Sequence, residues 1–338
     1  MYLAVFKQLS IMMGIGVCGF IFGKIFKCGD KEQKFLSKLL LYFINPCMVF
    51  NSFNKPFDAT KLKMLGLVII TSFVVHGVMI IIAHLFTISK NPAHKDFNQI
   101  DRVATVFTNC GFVGIPLING VFGTEGVFYL MGFLVVFNLL LWTYGYYQMG
   151  GSVNIKKIVT NPNIIAICLG LVVFCLPFDI PEVVFKPINM IGELNTATAM
   201  ILIGLLFANF KLPSKTETGD KESGGENAVQ TVSVKYFFFR VVRLILIRLV
   251  FVSIINLGVV LAIYRLLTLV PGMDFEILKL FMFVVYICSL CPCGTSIPSL
   301  ACVFDRDTSY ASLLIPLSSI GCIVTIPAFV ALAELFIK

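Results

Sequence analysis

Two short runs of polar, glycine and proline residues interrupt apolar stretches of the sequence. Residues 109–116 read NCGFVGIP and residues 291–298 read CPCGTSIP, and both end in a small residue, isoleucine and proline. Proline breaks the hydrogen-bond ladder of a helix because it lacks a backbone N–H and clashes with the preceding turn. In lipid, the freed backbone groups are tolerated only where they face protein or a watery cavity. Two such breaks in matching positions predict a transporter binding site.

The first interruption carries groups suited to an anion. Asn109 supplies an amide side chain, and Pro116 frees backbone N–H and C=O groups. Gly111 and Gly114 lie between them. Because the N-terminus of a half-helix carries a partial positive charge, such a break can bind a carboxylate without a buried Lys or Arg. The sequence shows no Lys or Arg near the middle of any predicted span, which favours this arrangement.

The second interruption offers hydroxyl groups in place of the amide. Pro292 and Gly294 break the apolar pattern here. Thr295 and Ser296 follow them and add two hydroxyls beside the freed backbone. We therefore assign all four residues to the predicted binding site.

Two alternatives compete with this interpretation of the interruptions. A proline can simply kink a packed helix, although two prolines in symmetric positions with polar neighbours favour a function. The thiols of Cys288, Cys291 and Cys293 could coordinate a copper(I) ion. A copper pump also needs a nucleotide-hydrolysing domain, and the sequence contains no phosphate-binding glycine loop. We predict no metal site and no cofactor.

A few other polar residues lie within apolar runs. Asn45 is the strongest candidate for a further site residue, because the adjacent Pro46 frees backbone groups beside it. Glu193 could border an outer cavity or be an interfacial carboxylate in contact with water. His76 could relay a proton near neutral pH, or it could be a packed histidine with satisfied hydrogen bonds. Glu193 and His76 are our candidates for coupling.

The composition indicates a protein that crosses the membrane many times. Hydrophobic residues make up 58% of the 338 residues, and charged residues only 13%, against roughly a quarter in soluble proteins. The mean hydropathy is +0.94. The net charge of +8 does not indicate nucleic-acid binding, because the Lys and Arg residues fall between apolar runs instead of forming one basic face.

Ten apolar segments have the length of about 17 to 25 residues that spans a bilayer. The first is read as a permanent span because it is longer than the apolar core of a signal peptide. The polar run at 211–235 is predicted to be a flexible loop. The ten segments are 2–23, 36–53, 62–87, 101–119, 126–148, 160–177, 187–209, 249–270, 277–302 and 309–337.

The distribution of basic residues predicts the orientation of these segments. Most of the 26 Lys and Arg residues fall in loops on one side, among them Arg240, Arg243 and Arg248 before span eight. Loops rich in Lys and Arg face the cytoplasm. We therefore expect both termini outside the cell, in a multi-pass protein of the plasma membrane.

The span count predicts an internal repeat. Ten spans divide into five and five, and an odd number per half inserts the second half upside down. We predict an all-α membrane protein whose first repeat is 1–150 and whose second is 151–338. The two interruptions then lie in the fourth span of each half, as broken crossing helices in spans four and nine.

An ordered set of motifs along essentially the whole chain resembles the auxin efflux carrier family. That family includes bacterial malate and malonate permeases and the plant PIN carriers. The resemblance implies a ten-span inverted repeat with a scaffold domain and a transport domain, an elevator-like movement and organic anions as substrates. The motifs are residues 41–46 (LYFINP), 109–116, 123–126 (GTEG), 137–145, 161–166 (NPNIIA) and 195–204.

The resemblance also places the two crossovers and shows where this sequence departs from the family pattern. By position, Asn109 with Pro116 corresponds to the first crossover, and Pro292, Gly294 and Thr295 to the second. The family more often has small alanine-like residues where this chain has Cys291, Cys293 and Ser296. The connection between spans five and six, long in plant members, is short here.

The residues together predict a secondary carrier of small organic anions, with the lipid bilayer as its surroundings and no catalytic residues. The alternative is a sodium- or proton-coupled cation antiporter of similar fold. Such antiporters usually need carboxylates at the crossing, and none occurs between 104 and 119 or between 280 and 302. The sequence leaves open proton or sodium coupling, the direction of transport, and whether the protein is a homodimer.

Overall fold

The computed structural model describes residues 1–86, 95–152, 156, 159–176, 180–208 and 234–337, and this part of the chain is helical, without a β-strand. Positions 211–233 of the predicted polar loop lie outside the described residues. The helices are α1 (Tyr2–Ile25), α2 (Asp30–Leu39), α3 (Asn45–Phe53), α4 (Ala59–Phe86), α5 (Lys95–Val106), α6 (Ile115–Leu140), α7 (Tyr146–Gln148), α8 (Pro162–Cys175), α9 (Glu182–Glu193), α10 (Asn195–Ala208), α11 (Val234–Leu246), α12 (Val252–Thr268), α13 (Phe275–Leu290), α14 (Ser296–Val303) and α15 (Thr308–Glu334).

Short π-helical segments connect several of these helices. Leu40–Ile44 joins α2 to α3, and Cys110–Gly114 leads into α6. Each of these two segments ends just before a proline in the first turn of the next helix, Pro46 or Pro116. A proline cannot donate to the preceding turn, so a wider turn there accommodates the missing bond. The other two π-helical segments are Leu141–Gly145, between α6 and α7, and Ile247–Phe251, between α11 and α12.

Six stretches of the described residues are long and apolar enough to cross a membrane. Residues Cys110–Gln148 form one of them, although Gly123 with φ of 63° kinks it between predicted spans four and five. Ten crossings therefore remain a prediction. The other five stretches are Tyr2–Ile25, Ala59–Phe86, Glu182–Ala208, Phe237–Thr268 and Thr308–Glu334.

The helices pack into two groups. The first bundle consists of α1, α2, α3, α8, α9 and α10, and the second of α4, α5, α6 and α11 to α15. Each bundle takes helices from both halves of the sequence. The bundles meet chiefly where α1 packs on α15 and α6, and where α3 packs on α6.

The start of α1 and the end of α15 lie at the same face of the molecule. The backbone N–H of Tyr2 donates to Oε2 of Glu334 at 3.1 Å. Because these two helices begin and end side by side, the chain between them crosses the fold an even number of times.

The structure corrects the placement of two arginines. The charge pattern predicts loop positions for Arg240 and Arg248, and this prediction is wrong. Arg240 is 4% exposed and Arg248 is fully buried, and both lie in the long stretch Phe237–Thr268. The expectation that no basic residue lies near the middle of a span fails for Arg248. The membrane-crossing stretch therefore begins earlier than the hydropathy of the sequence indicates. Hydropathy places both arginines outside it, but their side chains are paired or hydrogen-bonded inside the second bundle.

Arg240 belongs to a buried polar cluster around Asp101, in the middle of α5. Its guanidinium lies 2.7 Å from Oδ2 of Asp101, and both side chains are nearly inaccessible to solvent. The hydroxyl of Tyr310 donates to the other carboxylate oxygen of Asp101. A buried charge is tolerated when it is paired and hydrogen-bonded in this way. The cluster fastens α5 to α11 and α15.

Candidate functional site

The two interruptions meet inside the second bundle. α5 ends at Val106 and α13 ends at Leu290, and beyond these points Thr108 and Cys293 pair as an isolated antiparallel bridge. We call residues 107–116 the first arm and residues 291–298 the second arm of the crossing. Their broken backbones satisfy each other's hydrogen bonds, as buried polar groups require.

Two backbone hydrogen bonds hold the arms together. The N–H of Asn109 donates to the carbonyl oxygen of Pro292 at 2.7 Å. The N–H of Gly294 donates to the carbonyl oxygen of Phe107 at 3.0 Å. Both bonds lie at the breaks that the prolines and glycines predict, so these residues position one arm against the other.

This close approach favours glycine at position 294. A Cβ atom at this position would lie 3.0 Å from the carbonyl oxygen of Thr108 and 3.2 Å from that of Phe107. Gly114 is also closely packed, since its added Cβ would lie 3.2 Å from Cβ of Cys110. An added Cβ at Gly111 would have no neighbour within 4 Å.

The space beside Gly111 is a cavity of about 350 Å³ between the two bundles. Helices α2, α3 and α8 of the first bundle border it on one side. The two arms and α6 of the second bundle border it on the other. Its polar lining consists of Ser37, Asn45, Thr108, Asn109, Asn138, Asn161, Asn163, Thr295, Ser296 and Ser299, with Tyr42 and Trp142 beside them.

The cavity is polar but uncharged. None of the described residues that line it is acidic or basic. Nδ2 of Asn109, Oδ1 of Asn163 and Oγ of Ser296 are buried and have no hydrogen-bond partner within the described part of the chain. Buried polar atoms normally find a partner, so these three atoms are placed to meet a ligand or water.

Two helix N-termini lie at the cavity. The π-helical segment that leads into α6 begins at Cys110, directly after Asn109, and α14 begins at Ser296. The first N–H groups of a helix have no partner inside the helix, and the helix dipole makes this end partially positive. The cavity therefore presents donors and partial positive charge from both arms, without a Lys or Arg among the described lining residues.

The structure brings together five of the nine predicted substrate-site residues at the cavity wall. The others lie within the crossing itself: Gly114 and Pro116 are buried near the end of the first arm, and Pro292 and Gly294 form the contact between the arms. The five that line the cavity are Asn45, Asn109, Gly111, Thr295 and Ser296.

The two predicted coupling residues lie away from the cavity lining. Glu193 is exposed at the end of α9, where it accepts a hydrogen bond from Asn189 at 2.8 Å. His76 is fully buried in α4, and its Nδ1 lies 2.8 Å from the carbonyl oxygen of Ser72. Neither lines the cavity, and a role for them in coupling stays a prediction.

Several residues of the cavity wall are missing from the predicted site. Asn161 accepts hydrogen bonds from the backbone N–H groups of Asn163 and Ile164 and so caps α8. Its amide also donates to Oδ1 of Asn138 at 3.0 Å, which connects α8 to α6 across the bundles. The run Asn161-Pro162-Asn163 was a visible signal, since asparagine before proline is typical of a helix start.

Asn45 makes a contact between the two halves of the sequence. Nδ2 of Asn195 donates to Oδ1 of Asn45, and both side chains are buried. These two residues begin α3 and α10, which belong to the first bundle. Asn45 therefore has a structural partner in addition to its position at the cavity.

A second cavity lies on the other side of the crossing. It has a volume of about 320 Å³ and is lined almost entirely by apolar residues of α1, α10 and α15. Val113 of the first arm and Pro292 of the second arm reach its wall. The crossing thus separates a polar cavity from an apolar one. Among the described residues, no group of three or more His, Cys, Asp or Glu is arranged to hold a metal ion.

Comparison with known families gives one match. The profile of a family described as "Membrane transport protein" matches residues 4–152 and 146–330. No curated protein matches the chain.

Proposed function

Since the chain belongs to the membrane transport protein family, we propose that it is a secondary carrier of small organic anions, such as dicarboxylates or auxin-like carboxylates. The observation that carries the anion assignment is the uncharged polar cavity at the crossing. Two helix N-termini and unpartnered donors of Asn109 and Ser296 lie at its wall. A carboxylate accepts hydrogen bonds and favours a positive helix end, so it matches these groups.

The path of the chain supports ten crossings built as an inverted repeat. Six stretches are long enough to span by themselves. Helix α8, the broken pair α2 and α3, the broken pair α13 and α14, and the kink at Gly123 add four more crossings. Ten is an even number, in agreement with the adjacent ends of α1 and α15.

The two bundles support an elevator-type movement. Both arms belong to the second bundle, whereas α2, α3 and α8 of the first bundle form the opposite wall of the cavity. In this mechanism the second bundle carries the substrate along the stationary first bundle. The asparagine pair Asn138 and Asn161 crosses the sliding interface and would have to separate during the movement.

The basic residues indicate which side the cavity faces. Ser37 lies in α2, a helix rich in lysine, and Asn161 follows Lys156 and Lys157. Under the positive-inside rule, this side is the cytoplasm. The described conformation is then inward-facing, with both termini outside the plasma membrane.

Uptake into proteoliposomes tests the proposal. Purified protein is reconstituted, and uptake of radiolabelled malonate, malate and indole-3-acetate is measured with and without proton and sodium gradients. We expect saturable uptake of at least one carboxylate. Ion flux without uptake of any carboxylate in this panel would contradict the proposal and favour the cation antiporter.

Asn109 provides the residue-level test. We expect Asn109→Ala to reduce uptake about tenfold or more, because a donor to the substrate is lost, with little change in thermal stability. Asn109→Asp, which has the same shape, should abolish uptake by repelling the anion. Asn51→Ala is the matched control, since Asn51 bonds to Asn189 within the first bundle and does not line the cavity. Equal uptake by Asn109→Ala and the wild type would count against anion binding at the first arm.

The cation antiporter has weaker support in the described residues. A cation site at the crossing needs carboxylate ligands, and the cavity wall has none among its described residues. Asp101, the buried carboxylate in the middle of α5, is paired with Arg240 and Tyr310. Its negative charge is therefore already neutralised.

A further inference from the structure

Arg248 lies behind the crossing, in the π-helical segment between α11 and α12. Its side chain is fully buried. Nη2 donates to the carbonyl oxygen of Ser289 at 2.7 Å and to that of Cys291 at 2.9 Å. These carbonyls belong to the C-terminal end of α13 and the start of the second arm, where the helix leaves its own carbonyls without partners.

The charge of Arg248 is not neutralised by an acidic side chain within the described residues. No carboxylate there lies within 4 Å of its guanidinium, and Nε and Nη1 have no hydrogen-bond partner. The buried carboxylate of Asp101 is held by Arg240. An arginine keeps its proton even in a buried site. A full positive charge, opposed only by the partial negative end of α13, thus lies inside the second bundle.

This charge is close to the polar cavity without forming its wall. Arg248 binds the carbonyl of Cys291, and the next carbonyl of the chain, that of Pro292, receives the N–H of Asn109. The thiols of Cys110 in the first arm and Cys293 in the second also lie within electrostatic range of the guanidinium. The charge and the residue that carries the unpartnered amide, Asn109, are thus linked through two consecutive residues of the second arm, Cys291 and Pro292.

An unneutralised buried charge is costly, so its presence calls for a compensating interaction. The described residues offer no acidic side chain for this purpose. An anion in the polar cavity would supply the missing negative charge from the other side of the crossing. A cation in the same cavity would be repelled.

We propose that Arg248 determines the charge selectivity of the carrier: its guanidinium makes the uncharged cavity electropositive, so that carboxylates are accepted and cations excluded. Arg248 does not touch the substrate and acts through the electrostatic potential. This inference rests on the proposed transport of organic anions. It assigns to Arg248 the full positive charge that the described residues of the cavity wall lack.

The size of the effect follows from Coulomb's law. If the guanidinium and a bound monovalent anion are roughly 8 to 10 Å apart, an effective dielectric constant of about 20 gives a change in affinity of about fifteenfold to thirtyfold. The effect on a dianion such as malonate is larger. Because the potential acts on binding, it should appear mainly in the KM for the anion.

The first test replaces Arg248 itself. KM and maximal rate for radiolabelled malonate are measured in proteoliposomes for the wild type, Arg248→Lys and Arg248→Gln. We expect Arg248→Gln to raise KM at least tenfold, and Arg248→Lys to stay within threefold of the wild type because it retains the charge. Equal KM values for Arg248→Gln and the wild type would overturn the proposal. An equal rise of KM in Arg248→Lys and Arg248→Gln would also overturn it.

The second test leaves Arg248 in place and therefore does not depend on the folding of its variants. Cys322 of α15 reaches the carbonyl of Leu290, which lies between the two carbonyls that bind Arg248. Cys322→Asp would neutralise the guanidinium, whereas Cys322→Asn has nearly the same shape without the charge. We expect the Asp variant to raise the KM for malonate at least tenfold above that of the Asn variant.

The outcomes separate this inference from the proposed function. If the wild type transports malonate and the two Cys322 variants have the same KM, the role of Arg248 is wrong and the anion carrier stands. If the wild type transports none of malonate, malate and indole-3-acetate, the proposed function falls and the inference falls with it.

Discussion

The two arms of the crossing carry similar sequences but are packed in opposite ways. In the first arm, Asn109 and Gly111 border the polar cavity, and the space beside Gly111 is open. In the second arm, a Cβ atom at Gly294 would be crowded by the carbonyl oxygens of Thr108 and Phe107. The N–H of Cys293 donates to Oγ of Ser318 at 3.0 Å, and Arg248 holds the carbonyl of Cys291.

The two arms therefore have different roles, one in lining the cavity and the other in anchoring the crossing. The first arm exposes its donors to the cavity, whereas the start of the second arm is fixed by side chains to the π-helical segment before α12 and to α15. Only the end of the second arm, at Thr295 and Ser296, reaches the cavity. A motif ending in a small residue, isoleucine and proline therefore marks a break in the helix, but it does not tell which break is held rigidly and which is open to a ligand.

The largest difference is expected when one methyl group is added to a single glycine of each arm, Gly294 in the second and Gly111 in the first. Gly294→Ala should destabilise the protein by about 2 kcal/mol or more and abolish transport, because the new Cβ overpacks against the carbonyl oxygens of Thr108 and Phe107. Gly111→Ala should change stability by less than about 0.5 kcal/mol, because its Cβ meets nothing within 4 Å. Thermal unfolding in detergent and malonate uptake measure both effects.

Gly111→Ala also acts as the control for this prediction. Its methyl group would project toward the cavity, so we expect normal folding with a raised KM for the substrate. If both variants lose the same amount of stability, the two arms are equally tight and the contrast between them is wrong.

An intermediate effect is expected from removing the hydroxyl of Ser318, which anchors the second arm, or that of Ser296, which faces the cavity. Ser318→Ala leaves the buried N–H of Cys293 without its acceptor and should cost about 1 to 3 kcal/mol of stability. Ser296→Ala removes a hydroxyl that has no partner among the described residues, so stability should hold while KM rises several-fold. Parallel unfolding and uptake measurements on the two variants test this separation of anchoring from binding. The reverse pattern would assign the anchoring role to Ser296.

The smallest effect concerns the asparagine pair of the first bundle. Asn45 and Asn195 join the two halves of the sequence there by one side-chain hydrogen bond, whereas the arms of the second bundle are joined by backbone. A double-mutant cycle with Asn45→Ala and Asn195→Ala should give a coupling energy of about 1 kcal/mol in mixed-micelle unfolding. A coupling energy of zero would show that this contact does not hold the halves together.

The broken helices were predictable because proline and glycine act locally. Pro116 and Gly294 mark where a helix must stop, whatever surrounds them. Asn109 could also be assigned to the site, because a polar amide beside a break in an apolar run is unusual. The cavity wall of the first bundle was harder to predict: Asn161 reads as a helix cap, and only its contact with Asn138 shows that it meets the second bundle.

Arg248 is the opposite case, because the local sequence pattern indicated the wrong position for it. It lies among basic residues next to a polar run, and this composition is typical of a loop at the membrane surface. The carbonyls that bind it belong to residues 289 and 291, about forty positions later in the chain. No local pattern can reveal such a partner, because the contact depends on how the π-helical segment Ile247–Phe251 packs against the end of α13.

The sequence by itself determined that the chain is a helical membrane protein with two interrupted helices, because hydropathy and the backbone chemistry of proline and glycine act over a few residues. The tertiary structure decided that the interruptions meet, that a polar and an apolar cavity lie on opposite sides of them, and that a buried arginine stands behind the crossing. These features join residues far apart in the chain, and only the packing of the two bundles brings such residues within hydrogen-bonding or electrostatic range.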